Sequence, residues 1–269
     1  MIDFEFKENY NCDDFIQIMK LLRAPGGCPW DAAQTHESIK KNLIEETYEV
    51  IEAINKQDSD LLCEELGDLL MQIIFHTVME EEKGVFDFGN VTDGVSKKLI
   101  IRHPHIFGDV KADTVDDVLT NWDEIKKKTK GQKTTTESML SVPRELPALM
   151  RAQKIQKKAA DVGFDWPDVT GAVDKLYEEI GELKEAIEKG DKSNINEEFG
   201  DLLFSMVNVS RFIKVDSEES LTNASDKFLA RFTEVEKKAA EKGIDMKNST
   251  IEELDALWDE VKAEQKTNI

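Results

Sequence analysis

Apolar residues recur at helical rather than strand spacing through most of this chain. Between positions 10 and 24, Phe15, Ile16, Ile18, Met19, Leu21 and Leu22 predict a first amphipathic helix. The segment Ala24-Pro25-Gly26-Gly27-Cys28-Pro29-Trp30-Asp31 then breaks it with turn formers. A second helix is predicted to begin near Thr35 or Ser38 and to run from Ile39 to Ile54. Leu43, Ile44, Thr47, Val50, Ile51 and Ile54 should face its core, and Glu45, Glu46, Glu49 and Glu52 its other side. Asp58-Ser59-Asp60 has the composition of a helix start. The helix it opens should reach about Glu82 before Gly84 stops it, and a fourth follows from Val91 to Arg102, ended by His103-Pro104-His105. A short helix is expected around Asp116 to Lys128.

The third of these helices departs from simple amphipathicity. At about 100° per residue, Leu66, Leu69, Leu70, Met71, Ile73, Ile74, Phe75 and Val78 cover most directions. Glu65, Asp68, Gln72 and His76 share the remaining sector of roughly 80°. Such a helix is expected to be packed on most sides, and carboxylates on its polar line then need a positive partner, because burying unpaired charge is costly.

The same pattern returns downstream. Glu45 to Glu178, Glu49 to Glu182, Glu65 to Glu198 and Asp68 to Asp201 are each 133 positions apart. Lys98 and Arg102 match Lys227 and Arg231 at 129, and Trp122-Asp123-Glu124-Ile125-Lys126 matches Trp258-Asp259-Glu260-Val261-Lys262 at 136. This is a tandem duplication of about 130 residues. Its second copy predicts helices over Met150 to Ala160, Val173 to Glu188, Asn196 to Lys214, Leu221 to Lys242, and from Ile251 onward. The run from Lys126 to Thr136 has no apolar residue, so the division expected is 1–126, a polar linker over 127–139, and 140–269.

Composition agrees with an all-α fold: 14 Gly and 6 Pro in 269 residues leave helix formers dominant, and 40% hydrophobic content supplies a core. No run is long enough to span a bilayer and the start lacks the features of a signal peptide, so a cytoplasmic protein is expected. Cys12, Cys28 and Cys63 fit no metal-ligand spacing and are expected as packing residues without disulfides. With 35 basic and 56 acidic residues the net charge is −21, which disfavours nucleic acid and anionic membranes as partners. A phosphate-bearing ligand must then arrive with cations.

Each half therefore carries Glu-Glu-x-x-Glu on one helix and Glu-x-x-Asp on the next, joined by a short connection. These spacings put each set on one face, and antiparallel neighbours can turn the faces together. Clustered carboxylates repel unless a cation neutralises them, and oxygen ligands without paired Cys or His select a hard ion, Mg²⁺ or Mn²⁺. Lys227 and Arg231, one turn apart, complement such an ion by holding phosphate oxygens, an arrangement suited to hydrolysis at phosphorus. His76, replaced by Val209 in the second half, is read as structural, and His103 and His105 as capping or packing residues. A di-iron bundle would need Glu-x-x-His pairs, which these helices lack. The rival reading is a helical dimerisation or partner-binding module with structural cation sites.

With Glu178-Glu179-x-x-Glu182 and Glu198-x-x-Asp201, and their twins Glu45-Glu46-x-x-Glu49 and Glu65-x-x-Asp68, the chain resembles the MazG-type nucleoside triphosphate pyrophosphohydrolases. The likeness extends end to end, through Gly27-Cys28-Pro29-Trp30-Asp31, Gln34-Thr35-His36, Arg102-His103-Pro104-His105-Ile106-Phe107, Val162-Gly163-Phe164-Asp165-Trp166 and Leu257-Trp258-Asp259-Glu260-Val261. It implies two tandem four-helix-core domains that form a homodimer, and Mg²⁺-dependent cleavage of nucleoside triphosphates to the monophosphate and pyrophosphate. It further implies Glu179, Glu182, Glu198 and Asp201 as the catalytic metal ligands. Lys175, Lys227, Arg231 and Trp258 match its nucleotide contacts, and Glu178 is counted with the substrate-binding residues. In two-domain relatives the C-terminal half is credited with hydrolysis, whereas here Glu46, Glu49, Glu65, Asp68, Lys98 and Arg102 leave the first half equipped for a second site. Base stacking on Trp258 would discriminate weakly among bases.

Overall fold

A computed structural model describes residues 4–111 and 131–267, with Thr114, Asp117, Val118, Asn121, Trp122, Ile125 and Thr129 between them. The helix expected over Asp116 to Lys128 and the start of the expected linker lie largely outside the described residues. The described residues form twelve helices. In chain order they are α1 (Cys12–Arg23), α2 (Pro29–Ala33), α3 (Lys40–Lys56), α4 (Ser59–Glu82), α5 (Phe88–Arg102), α6 (Pro104–Phe107), α7 (Thr135–Leu140), α8 (Ala148–Ala160), α9 (Val169–Lys189), α10 (Lys192–Phe212), α11 (Ser217–Lys242) and α12 (Ile251–Thr267). The fold is all-α, and the chain divides into two compact units, 1–126 and 127–269.

In the first unit α3 packs along α4, and α1 lies across the C-terminal half of α4. Ile16 and Met19 of α1 meet Ile74, Phe75, Val78 and Met79 of α4, with Ile39 beside them, in one buried cluster. In the second unit α9 packs along α10, α8 against both α10 and α11, and α11 against α12. Val235 and Ala239 of α11 close over Leu257 and Val261 of α12. Ala53 of α3 and Ala186 of α9, 133 positions apart, are both fully buried. A methyl group at each position lets the paired helices approach closely.

The connection that sets each pair is duplicated in detail. Gln57 (φ 55°) and Gly190 (φ 68°) both turn left-handed. Asp58 then caps α4 by accepting from the Asp60 and Leu61 amides, and Asp191 caps α10 by accepting from those of Ser193 and Asn194. A left-handed residue followed by an aspartate cap ends one helix and starts the next within two residues.

Several expectations are corrected. Ile44, Ile51 and Ile54 of α3, expected in the core, are exposed, as are Leu66 and Ile73 of α4. Among the described residues nothing packs closely enough over these side chains to bury them. Only the C-terminal half of α4 is enclosed, because α1 lies there. Cys12 and Cys63 are exposed and all three cysteines free. Within the expected linker, Thr134 forms a capping box with Glu137 and starts α7.

Candidate functional site

The short connections bring the duplicated acids together twice. Glu46, Glu49 and Glu65 each offer a carboxylate oxygen within 4.8 Å of the others, and Glu179, Glu182 and Glu198 do the same in the second unit. Two members come from the first helix of each pair and one from the second, so neither helix makes the group alone. Asp68 and Asp201 stand outside these groups, one turn along from Glu65 and Glu198. Their charge still reaches them: Asp68 acts on Glu46, and Asp201 on Glu198.

The electrostatics are those of acids held too close. Desolvation raises the Glu198 carboxyl above its usual range, and the charges of Glu182, Glu179 and Asp201 raise it further. Glu46 is raised likewise, by desolvation and then by Asp68 and Glu49. Glu65 follows, from desolvation and then Glu49. Glu179 is only 4% exposed, whereas Glu182 is open to solvent, so the second group runs from a buried wall to an accessible mouth. A hard divalent cation fits such an all-oxygen set and would relieve its repulsion.

The two groups differ in what compensates them. Lys175 lies 2.8 Å from both Glu178 and Glu179 and is held more firmly protonated, chiefly by its hydrogen bond to Glu178. Its counterpart 133 positions earlier is Asn42, which carries no charge. The first group is touched instead by the Gln72 amide, which donates to Glu46 at 3.4 Å.

The other two basic residues singled out in the second half, Lys227 and Arg231, stand on a different helix, α11. Arg231 sits over Trp258, 5.9 Å from the ring centroid, and donates through Nε to Gln265 at 3.0 Å. Trp258 also packs against Phe228 at 5.2 Å, so its indole is part of the α11–α12 core. The first unit repeats the stack, with Arg102 over Trp122 at 5.2 Å. Lys227 and Lys98 are exposed on α11 and α5. The main partners of α11 are α12 and α8, not the acid-bearing pair.

One polar group was not legible from the amino-acid order. His36 Nδ1 lies 2.7 Å from His76 Nδ1, and His36 Nε2 is 2.6 Å from Glu80. Burial and the neighbouring His36 lower the His76 pKa. His76 was visible on the α4 stripe, but His36 lies forty residues earlier in a loop, where no periodicity could pair them. His103 ends α5, with Nδ1 2.7 Å from the Leu99 carbonyl and its ring edge-on to Trp122.

Comparison with known proteins adds sequence-wide likeness to this geometry. The MazG nucleotide pyrophosphohydrolase domain matches twice, over residues 34–107 and 169–238. The chain is 44% identical over 256 residues to the nucleoside triphosphate pyrophosphohydrolase of Escherichia coli K12, covering 94% of this chain and 97% of that one. It is 43% identical over 255 residues to the nucleoside triphosphate pyrophosphohydrolase/pyrophosphatase MazG of Thermotoga maritima, covering 95% and 97%. An uncharacterised Bacillus subtilis protein, YabN, is 47% identical over 255 residues, covering 94% of this chain and 52% of its own length.

Proposed function

Because this chain belongs to the MazG nucleotide pyrophosphohydrolase family and is an enzyme that hydrolyses nucleoside triphosphates to the monophosphate and pyrophosphate, we propose that Glu179, Glu182, Glu198 and Asp201 carry the reaction with Mg²⁺, Mn²⁺ being an alternative ion. The observation behind this reading is the convergence of Glu179, Glu182 and Glu198 within 4.8 Å beside Lys175. When bound, the ion supplies charge neutralisation and polarises the phosphate oxygens it touches.

The chain's own residues do the rest. Glu198, which shares the site with Glu179 and Glu182, is placed to orient a water for attack at the α–β phosphate linkage. Lys175, whose Nζ lies 2.8 Å from both Glu178 and Glu179, is the cation placed to meet a phosphate oxygen, and Glu178 would keep that ammonium oriented. Lys227 and Arg231 bind further phosphate charge, and Trp258 holds the Arg231 guanidinium in place. The placement of these last three at the nucleotide rests on the family resemblance, since α11 packs on α8 and α12.

The second unit is favoured because Lys175 has only Asn42 as its counterpart. Glu46, Glu49, Glu65 and Asp68, with Lys98 and Arg102, form the possible second site. Pyrophosphate release by Glu182→Gln and Glu49→Gln apportions the work. Glu182→Gln should lose activity at least a hundredfold and Glu49→Gln less than threefold; the reverse pattern assigns hydrolysis to the first unit. The setting we infer is the cytoplasm, with nucleotide-pool cleansing or adjustment as the role and a homodimer as the working form.

A further inference from the structure

Helix α8 reverses the charge balance of the rest of the chain. It carries Arg151, Lys154, Lys157 and Lys158, and no Asp or Glu occurs from Leu146 to Ala160, in a chain of 56 acidic and 35 basic residues. At about 100° per residue the four cations fall within an arc of roughly 120°. That arc lies opposite Gln156, which is buried and donates to the Phe204 carbonyl of α10. Packing therefore turns the cations outward, and Lys154 and Lys157 are exposed.

Cations on other helices sit beside acids: Lys20, Lys83, Lys97 and Lys242 lie 2.5–2.7 Å from a carboxylate oxygen. Among the described residues, none of the four on α8 has such a partner within 4.0 Å.

At the C-terminal end of the stripe, α7, α8 and the residues before α7 line a cavity of about 190 Å³. Lys133 and Lys158 stand on its wall with the hydroxyl-bearing Thr134, Thr135 and Ser138, and Asp161 is the one acid lining it. Ser138 is 4% exposed, and its Oγ accepts from Lys158 Nζ at 2.6 Å. That bond fixes the ammonium and leaves its other donors for a ligand. Glu137 is already engaged, accepting from the Lys133 and Thr134 amides at 2.6 and 3.2 Å. No residue of α9 or α10 lines the cavity, so it is separate from the group formed by Glu179, Glu182 and Glu198.

Charge chooses the class of ligand. At physiological ionic strength, charges more than about 8 Å away are largely screened, so these cations outweigh the chain's net −21 locally. A metal ion would be repelled, and an apolar group would desolvate two ammonium groups without compensation. A carboxylate offers two oxygens in a plane; a phosphate offers three and more charge, which suits two ammonium groups and several hydroxyls around one small cavity. Lys154 and Arg151 continue the stripe about 6 and 10 Å along the axis from Lys158, within reach of further phosphates linked to the first.

We propose that the cationic face of α8, with the cavity at its end, binds a polyphosphate anion. One phosphate enters between Lys133 and Lys158, and those linked to it follow Lys154 and Arg151. The anion is either a free polyphosphate or the phosphate chain of a nucleotide. This site stands independently of the hydrolytic function proposed above.

Calorimetric titration of the full chain with inorganic tripolyphosphate in EDTA tests this, since without metal the clustered acids repel the anion. Wild type should bind. Lys158→Gln, and the double variant Lys133→Gln with Lys154→Gln at two exposed positions, should each weaken binding about tenfold with unchanged circular dichroism; the double variant serves if Lys158→Gln does not fold. Lys227→Gln should leave tripolyphosphate binding as it is. ATP that displaces tripolyphosphate from wild type identifies a nucleotide as the source, and ATP that does not identifies a free polyphosphate. Absence of binding to wild type, undiminished binding by the folded α8 variants, or loss of binding in Lys227→Gln overturns the proposal. Polyglutamate binding as tightly as tripolyphosphate also overturns it, by assigning the face to an acidic peptide. Pyrophosphate release is untouched by any of these results, and its absence from wild type would instead defeat the hydrolytic assignment.

Discussion

Glu179 illustrates how one buried side chain depends on the charges around it. It is a buried carboxylate beside two others, and Lys175 is the cation against it. Lys175→Met should destabilise the metal-free protein, and saturating Mg²⁺ should then raise its melting temperature more than that of wild type; an equal rise in both would mean the ion does not replace the lysine. His76 makes a different prediction. Its folded-state pKa is lowered, so below about 6.5 the unfolded chain takes up a proton that the folded protein resists. Glu80, lowered first by Lys83 and then by His36, acts in the same direction at lower pH. Stability contributed by His76 is therefore present at neutral pH and lost on acidification through that window. His76→Val, which installs the residue found at position 209, should flatten the fall in melting temperature between pH 7 and pH 5.5 relative to wild type. The α4 stripe made His76 and Gln72 legible, because helical spacing is a local property. The Glu80 to His36 contact was not, because it joins a helix to a distant loop.

The helices show why the duplicated spacing holds. Gln57 adopts a left-handed conformation that a side chain tolerates poorly, where the second copy has Gly190. Gln57→Gly should stabilise the first unit by about 0.5–1 kcal/mol in urea denaturation. Asp191→Ala removes the acceptor for two α10 amides and should cost about 1 kcal/mol. Since α10 carries Glu198 in its second turn, the same change should weaken Mg²⁺ binding, measured by calorimetry. Long helices were readable to within a few residues because their apolar period repeats several times. The short α2, α6 and α7 were not, since a segment of four to six residues completes hardly one period. Their starts are set locally, by Pro29, Pro104 and the Thr134 capping box.

The apolar surfaces left by the two units bear on assembly. Tyr48, Ile51 and Ile54 of α3, Phe199 and Leu203 of α10, and Phe228 and Leu229 of α11 are all exposed. Faces of this kind are characteristic of interaction sites. Light scattering should therefore give a mass twice that of the 30.6 kDa chain, and Leu229→Glu, on a face open at 64%, should shift it toward the monomer. No helix among the described residues is long and apolar enough to cross a membrane. The all-α class, the duplication and the two acidic sets could be read from the amino-acid order, because helical period and constant offsets are properties of sequence neighbours. Which carboxylates come within 4.8 Å of one another, that Arg231 stacks over Trp258, and that α10 stays open beside Gln156 where α4 is filled depend on residues far apart in the chain. Those are settled by packing, since only the folded helices bring such groups within interaction distance.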